Sequence, residues 1–232
     1  MQFAGTINYI FKSANYIKIC AILIICAVFV ITSPVMCGYT LRIIRSIRDG
    51  NDQLPDLVLS DDFAVLYMDG LRLMVQMLLL FLPMILGLII VIPCMVSGKE
   101  GAMAIGGIIG VLLLLASSII VACFGVAVTC LTAEDDGWLV VTQFSRIMQI
   151  AGMDKRLYIA AIFYPVFWNF VFGFLGFIPI VGNLIAIPLT TITTAYFCGM
   201  YMRKISDNPN TGKIGADLSS DYVHSSGDNS DY

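Results

Sequence analysis

Four long stretches of the 232-residue chain carry no charged side chain, and shorter segments between them hold most of the charge. The uncharged stretches are residues 19–41, 73–98, 101–133 and 157–202. A helix needs about 20 apolar residues to cross the hydrocarbon core of a bilayer, so each stretch is long enough for at least one crossing. The pattern predicts an all-α, polytopic integral membrane protein built as a helical bundle.

The last two stretches are longer than one crossing requires. The stretch at 157–202 has Pro179 near its middle, which predicts a helical hairpin. The stretch at 101–133 begins with several glycines, so we expect a loop there and a helix only afterwards. With one helix from each of the first two stretches, the chain is predicted to have about five transmembrane helices.

Residues 19–39 allow two interpretations, because Pro34 lies near the far end of the first apolar stretch. The residues either cross the membrane as one helix or re-enter it as a hairpin that bends at the proline. The second stretch contains Pro83 and Pro93, and kinks are expected there, since neighbouring helices can satisfy the carbonyls that proline frees.

Two polar segments are predicted to form amphipathic helices at the membrane surface. In the first, Arg42, Arg45 and Arg48 recur at three-residue intervals beside an apolar stripe. Gly50 follows, and glycine commonly ends a helix because it adopts left-handed backbone angles without strain. In the second segment, Trp138 begins an apolar stripe with helical spacing, and tryptophan is common at membrane interfaces.

The chain is predicted to divide into three parts. Residues 1–18 form an amphipathic amino-terminal lead, residues 19–204 form the transmembrane helical domain, and residues 205–232 form a disordered acidic tail rich in Ser, Asp, Gly and Asn. The tail explains the acidic balance of the whole chain, which has 16 Asp and Glu against 13 Lys and Arg.

Composition agrees with a membrane location. Hydrophobic residues make up 59% and charged residues 12% of the chain, against about 25% charged residues in soluble domains. A soluble globular enzyme, a disordered chain and a disulfide-stapled secreted domain are excluded. The 7 cysteines all lie in the uncharged stretches and no pair has Cys-x-x-Cys spacing, so we interpret them as apolar packing residues.

The distribution of positive charge predicts the orientation. Five crossings place the two ends of the chain on opposite sides, with 3 Lys and Arg on the amino-terminal side and 10 on the other. The positive-inside rule then predicts a multi-pass protein of the cell membrane, with a cytoplasmic carboxyl terminus and an amino terminus outside.

Few residues are candidates for chemistry. Asn169 and Gln76 are polar residues inside apolar stretches, where they form either a functional intramembrane site or hydrogen bonds that hold the bundle together. Arg42, Arg45 and Arg48 are candidates for contacts with lipid headgroups, or they act only as topology determinants.

No catalytic, cofactor-binding or metal-binding motif is recognisable. The single histidine, His224, falls in the tail, and the chain has no glycine-rich phosphate loop and no zinc-helix signature. The acidic run Glu134-Asp135-Asp136 lacks the spacing of a known calcium loop and suits a helix start. We therefore expect no enzymatic activity, no cofactor, no bound metal and no nucleic-acid partner.

One sequence pattern resembles a known family. The pattern consists of Gly38-Tyr39-Thr40-Leu41-Arg42-Ile43-Ile44-Arg45, then Gly50, Leu54-Pro55 and Asp69-Gly70-Leu71, with Tyr9-Ile10-Phe11-Lys12-Ser13 before it and Phe144, Ile147, Ile150 and Gly152 after it. It is similar to the bacterial and archaeal membrane family catalogued as domain of unknown function 4013, over roughly residues 5–204. The resemblance implies fold and membrane location, and it implies no activity because none is assigned to the family.

The leading functional hypothesis is a non-catalytic scaffold or partner subunit in the cell membrane. Its partners would be the lipid bilayer and either a second protein or another copy of the chain. The alternative is a small transporter or channel component with a path near Asn169, since broken helices often line substrate sites. A lipid-directed enzyme that uses interfacial acidic residues is a third and weaker hypothesis.

Overall fold

The computed structural model describes residues 9, 15–28, 32–57, 59–97, 100–134, 137–174 and 181–207. These residues are almost entirely helical, and they include no strand, which confirms the predicted all-α class. The helices are α1 (Tyr16–Val28), α2 (Ser33–Arg48), α3 (Leu59–Leu80), α4 (Leu82–Val96), α5 (Glu100–Glu134), α6 (Phe144–Met153), α7 (Lys155–Gly173) and α8 (Val181–Ser206), with a 3-10 turn at Val140–Thr142. Most of the predicted lead and tail lies outside the described residues.

Helix α2 is the centre of the bundle, packed along α3 on one side and α8 on the other. The side chains of Tyr39, Ile43 and Ile44 on this helix are completely buried. The helix ends where the sequence predicts, because Gly50 adopts a φ of 87°. The amide of Asn51 then donates to the Ser46 carbonyl at 3.0 Å, which closes the helix with a Schellman-type cap.

The first apolar stretch forms two short helices, and α1 turns back beside α2. At the start of α1, the Asn15 amide donates to the Asp56 carboxylate at 2.7 Å, and Asp56 follows the end of α2. Tyr9 lies near the same level, with its ring centroid 5.0 Å from that of Tyr196 in α8. Over the described residues, α1 and α2 therefore run antiparallel, and Pro34 lies in the first turn of α2. Residues 29–31, which connect the two helices, lie outside the described residues.

Most of the described charge lies at one end of the bundle, which we call the charged end: α2, α5 and α8 finish there and α3 and α7 begin there. Two contacts define it, from the Arg45 guanidinium to the Ala133 carbonyl at 2.8 Å and from Arg203 to Asp52 at 2.9 Å. Basic residues stand in the last turns of α2 and α8 and in the first turn of α7 at this end: Arg45, Arg48, Arg203, Lys204, Lys155 and Arg156.

Within the described residues, four helices are long and apolar enough to cross a membrane. They comprise Asp62–Leu80, Met103–Glu134, Lys155–Gly173 and Ile185–Ser206, while Leu82–Cys94 is a shorter apolar helix. The predicted count of about five is approximate, since both Tyr16–Cys26 and Leu82–Cys94 are apolar helices below the crossing length. The last stretch does form the predicted hairpin, as α7 and α8.

The expected loop at the start of the third stretch was wrong, since α5 is helical from Glu100 onward. An apolar environment favours helix even at glycine, because the helix satisfies every backbone polar group internally. Two of these glycines also allow α4 to approach closely. A Cβ on Gly106 would crowd Cys94, and one on Gly110 would press against Val91.

The second stretch continues α3 into α4 with a single interruption at Phe81, just before Pro83. The helix is thus interrupted beside Pro83, whereas Pro93 lies inside α4. The interfacial helix predicted to begin near Trp138 is α6, which begins only at Phe144 because the 3-10 turn at Val140–Thr142 precedes it. Trp138 and Phe144 are exposed, whereas Ile147 is buried, so this segment presents apolar side chains on two faces.

Candidate functional site

The site is built where α2 crosses α3 with almost no space between their backbones. A Cβ placed on Gly38 would overlap the Leu66 carbonyl, and one on Gly70 would overlap the Pro34 carbonyl. Only glycine permits this approach at both positions. The close crossing brings the last turns of α2 within side-chain reach of the middle of α3.

Asp69 is the acidic centre of this crossing. The residue is 7% exposed, and its carboxylate accepts from Arg45 at 2.5 Å and from Arg72 at 3.4 Å. The Nε of Arg45 also donates to the Ala133 carbonyl at 2.8 Å. The cluster thus ties α2, α3 and the end of α5 together, and it pairs charges that would otherwise be costly to bury.

Beside this cluster lies an open cleft of about 650 Å³, which we call the charged cleft. Its lining residues are Arg45, Arg48, Ala64, Val65, Met68, Asp69, Arg72, Ala133 and Glu134. Three guanidinium groups face two carboxylates, so the lining carries a net positive charge. One wall, formed by α3, is apolar, which makes the cleft amphipathic.

Gln76 lies one helical turn beyond Arg72 and is fully buried. Its amide nitrogen donates to the Trp138 carbonyl at 2.5 Å, and its amide oxygen accepts from the Val141 backbone at 2.8 Å. One side chain therefore anchors the segment between α5 and α6 to α3. Of the two roles considered for Gln76, these contacts are of the second kind, hydrogen bonds that hold the bundle together.

The same segment is held at a second point, where the Arg72 guanidinium carbon lies 5.8 Å from the centroid of the Trp138 ring. This distance permits a cation–π interaction. Trp138 is itself 42% exposed, so the ring joins the charged cleft to the outer surface of the bundle.

The candidate residues named from the sequence lie in two separate places in the structure. Arg45 and Arg48 line the charged cleft, while Arg42 pairs with Asp62 beside it. Asn169 lies elsewhere, with an exposed side chain on α7.

Asn169 does border a smaller cavity of about 220 Å³, lined by residues of α3, α5, α7 and α8. The lining residues are Met77, Val121, Ala122, Gly125, Val126, Thr129, Ala161, Ile162, Pro165, Val166, Asn169, Thr194 and Cys198. Most of them are apolar, and the Thr129 hydroxyl is already bonded to the Gly125 carbonyl at 2.7 Å. The cavity therefore offers few polar groups to a solute.

Sequence reasoning missed Asp69 and Arg72 as members of the site. Both residues lie just before the uncharged stretch that begins at residue 73, so the charge pattern groups them with the polar segment that leads into it. Their three-residue spacing places them on one face of a helix, and this signal was available. The partner Arg45 is 24 residues away from Asp69 in the chain, and no local pattern reveals that pairing.

The model of one protein family matches most of the chain. The family is described as a protein of unknown function, DUF4013, and the match covers residues 19–181. The chain belongs to the DUF4013 family. No curated protein and no solved structure matches it.

The DUF4013 match spans every residue of the charged cleft, as well as Gln76 and Asn169. The structure shows what much of the family-like pattern does. Gly38 and Gly70 allow the α2–α3 crossing, Arg45 and Asp69 form the ion pair across it, and the Tyr39 hydroxyl donates to the Pro55 carbonyl at 2.7 Å. In the described residues, no group of three or more His, Cys, Asp or Glu side chains is placed to hold a metal ion.

Proposed function

We propose that this DUF4013 protein is a non-catalytic integral membrane protein that acts as a scaffold or partner subunit in the cell membrane. The observation that supports the proposal is the arm formed by α4 and the first half of α5. Helix α4 packs mainly against α5. The outward faces of both helices are strongly exposed, with Ile89 62%, Ile108 63% and Leu112 61% accessible.

A two-helix arm leaves more helix surface uncovered than the multi-helix body of α2, α3 and α8 does. Helices in membranes associate through close packing, since lipid tails are as apolar as leucine side chains. The arm therefore offers exposed helix surface on which a further helix could pack. We propose that its occupant is a helix of a second membrane protein.

Transport is the second candidate, and the cavity beside Asn169 is the observation that favours it. Its apolar lining weighs against a pathway for ions, which need polar groups or water to replace their hydration. Asn169 and Thr194 are the polar side chains there that could contact a solute. We therefore rank transport below the scaffold function.

We further propose that the charged end faces the cytoplasm. Basic residues of α2, α7 and α8 gather at that end, and the positive-inside rule assigns such an end to the cytoplasmic side. Because α1 turns back beside α2, residues near Asn15 would lie on the same side as Arg203. This proposal replaces the outside amino terminus that a five-crossing topology implied.

The scaffold proposal predicts that a bulky substitution on the arm disrupts an assembly without unfolding the chain. Leu112→Trp enlarges a side chain that is 61% exposed on α5, so the bundle should tolerate it. The matched control is Ile159→Trp on α7, where the side chain is 53% exposed. Native mass spectrometry of gently solubilised membranes should show a stable complex for the unsubstituted protein and the control, and its loss for Leu112→Trp.

Two results would contradict the proposal. One is a monomer for the unsubstituted protein under conditions that preserve other membrane complexes. The other is equal assembly of both variants. Solute flux through liposomes containing the monomer, if abolished by Asn169→Leu, would favour the transport candidate instead.

A further inference from the structure

We propose that the charged cleft binds the headgroup phosphate of an anionic phospholipid from the leaflet at the charged end. This function is separate from the scaffold role, because it concerns the crossing of α2 and α3 and not the arm. The inference depends on three features of the cleft: its charge, its unused hydrogen-bond donors and its apolar wall.

The charge of the cleft favours an anion. Arg45, Arg48 and Arg72 face Asp69 and Glu134 across about 650 Å³. Asp69 is already held between Arg45 and Arg72, so it presents little negative charge to a ligand. Fixed arginines at a membrane surface attract anionic lipids, and each contributes roughly a fivefold gain in binding.

Donors remain for a phosphate. A guanidinium group has five N–H donors. Arg45 donates to the Asp69 carboxylate and to the Ala133 carbonyl, and Arg48 donates to the Asp49 carboxylate. The side chains of Arg45 and Arg48 are 31% and 30% exposed, so they are accessible from the cleft while partly shielded from water. Arginine binds phosphate well because its planar fork can donate two parallel hydrogen bonds.

The apolar wall distinguishes a lipid from a soluble phosphate. Val65 and Met68 of α3 line the cleft and are 64% and 45% exposed, on a helix apolar enough to cross a membrane. An acyl chain could lie along this wall while the phosphate reaches the arginines. Trp138, against Arg72, is the type of residue found at the level of the headgroups.

The test measures binding of phosphatidylglycerol to the full chain purified in a neutral detergent, by native mass spectrometry. Arg48→Gln removes one charge from the cleft, and its bond to the exposed Asp49 is not part of the bundle core. We expect about a fivefold loss of affinity. Glu134→Gln removes a negative charge, so it should raise the affinity by a similar factor, which structural damage would not do. Arg156→Gln is the matched control, an exposed arginine at the same end but outside the cleft.

Several results would overturn the proposal. Unchanged affinity in Arg48→Gln would show that the cleft does not bind the lipid. Equal losses in Arg48→Gln and Arg156→Gln would indicate diffuse attraction to any basic surface. If millimolar inorganic phosphate displaced the lipid completely, the site would be one for soluble phosphate. Equal binding of phosphatidylcholine would remove the requirement for an anionic lipid.

Discussion

Asp69→Ala is expected to lower the free energy of unfolding by about 1.5–3 kcal/mol, because it removes the buried carboxylate that Arg45 and Arg72 share. The residue is 7% exposed, so water cannot readily replace the carboxylate. Its loss would weaken the connection between α2, α3 and the end of α5. Thermal or denaturant unfolding in a fixed detergent, followed by circular dichroism, measures the effect.

Asp62→Ala is the matched control for this substitution. Asp62 pairs with Arg42 on the same two helices, but their side chains are 36% and 37% exposed. Exposed ion pairs contribute about 0–1 kcal/mol, so the control should be nearly neutral. Equal stability losses in the two variants would show that burial of the Asp69 cluster is not what stabilises the crossing.

Gly70→Ala is expected to destabilise the fold by about 3 kcal/mol or more, although it adds a single methyl group. The new Cβ would overlap the Pro34 backbone carbonyl, and backbone cannot move aside as a side chain can. Helices α2 and α3 would have to separate, which would also pull Arg45 away from Asp69. The measurement is the unfolding midpoint in detergent, together with the yield of monodisperse protein.

Gly107→Ala provides the comparison, because no atom lies within 4 Å of a Cβ placed on that helical glycine. Alanine favours helix over glycine by about 1 kcal/mol, so this variant should be as stable as the unsubstituted protein or slightly more so. A neutral Gly70→Ala variant would mean that the α2–α3 crossing is looser than the structure describes.

Much of the helical architecture could be predicted from the sequence, because charge is excluded from apolar stretches and the stretches set helix positions. The α7–α8 hairpin and the end of α2 at Gly50 follow directly from this pattern and from helix-ending residues. The antiparallel arrangement of α1 and α2 in the first stretch could not be predicted from this pattern. Hydropathy measures how apolar a segment is and carries no information on whether the chain continues across or turns back.

The site was predicted only in part, for a similar reason. Arg45 and Arg48 stood out by their periodicity along one helix, but their setting depends on α3 and α5. Nothing in the sequence around Asp69 and Arg72 indicates a site. They meet Arg45 only because Gly38 and Gly70 allow α2 and α3 to cross closely. The partners of Gln76 are backbone groups more than 60 residues away, and backbone groups leave no trace in sequence patterns.

The distance between Asn15 and Asp56 is the most direct test of the arrangement, since it decides whether α1 turns back to the charged end. Asn15→Cys and Asp56→Cys, introduced together into a background without the native cysteines, should be joined by a short bifunctional thiol cross-linker, because the Asn15 Nδ2 atom lies 2.7 Å from the Asp56 carboxylate. An impermeant thiol reagent should reach both positions from the same face of membrane vesicles. Absence of the cross-link, with the two positions labelled from opposite faces, would contradict the antiparallel pairing of α1 and α2 and favour a single crossing over residues 19–39.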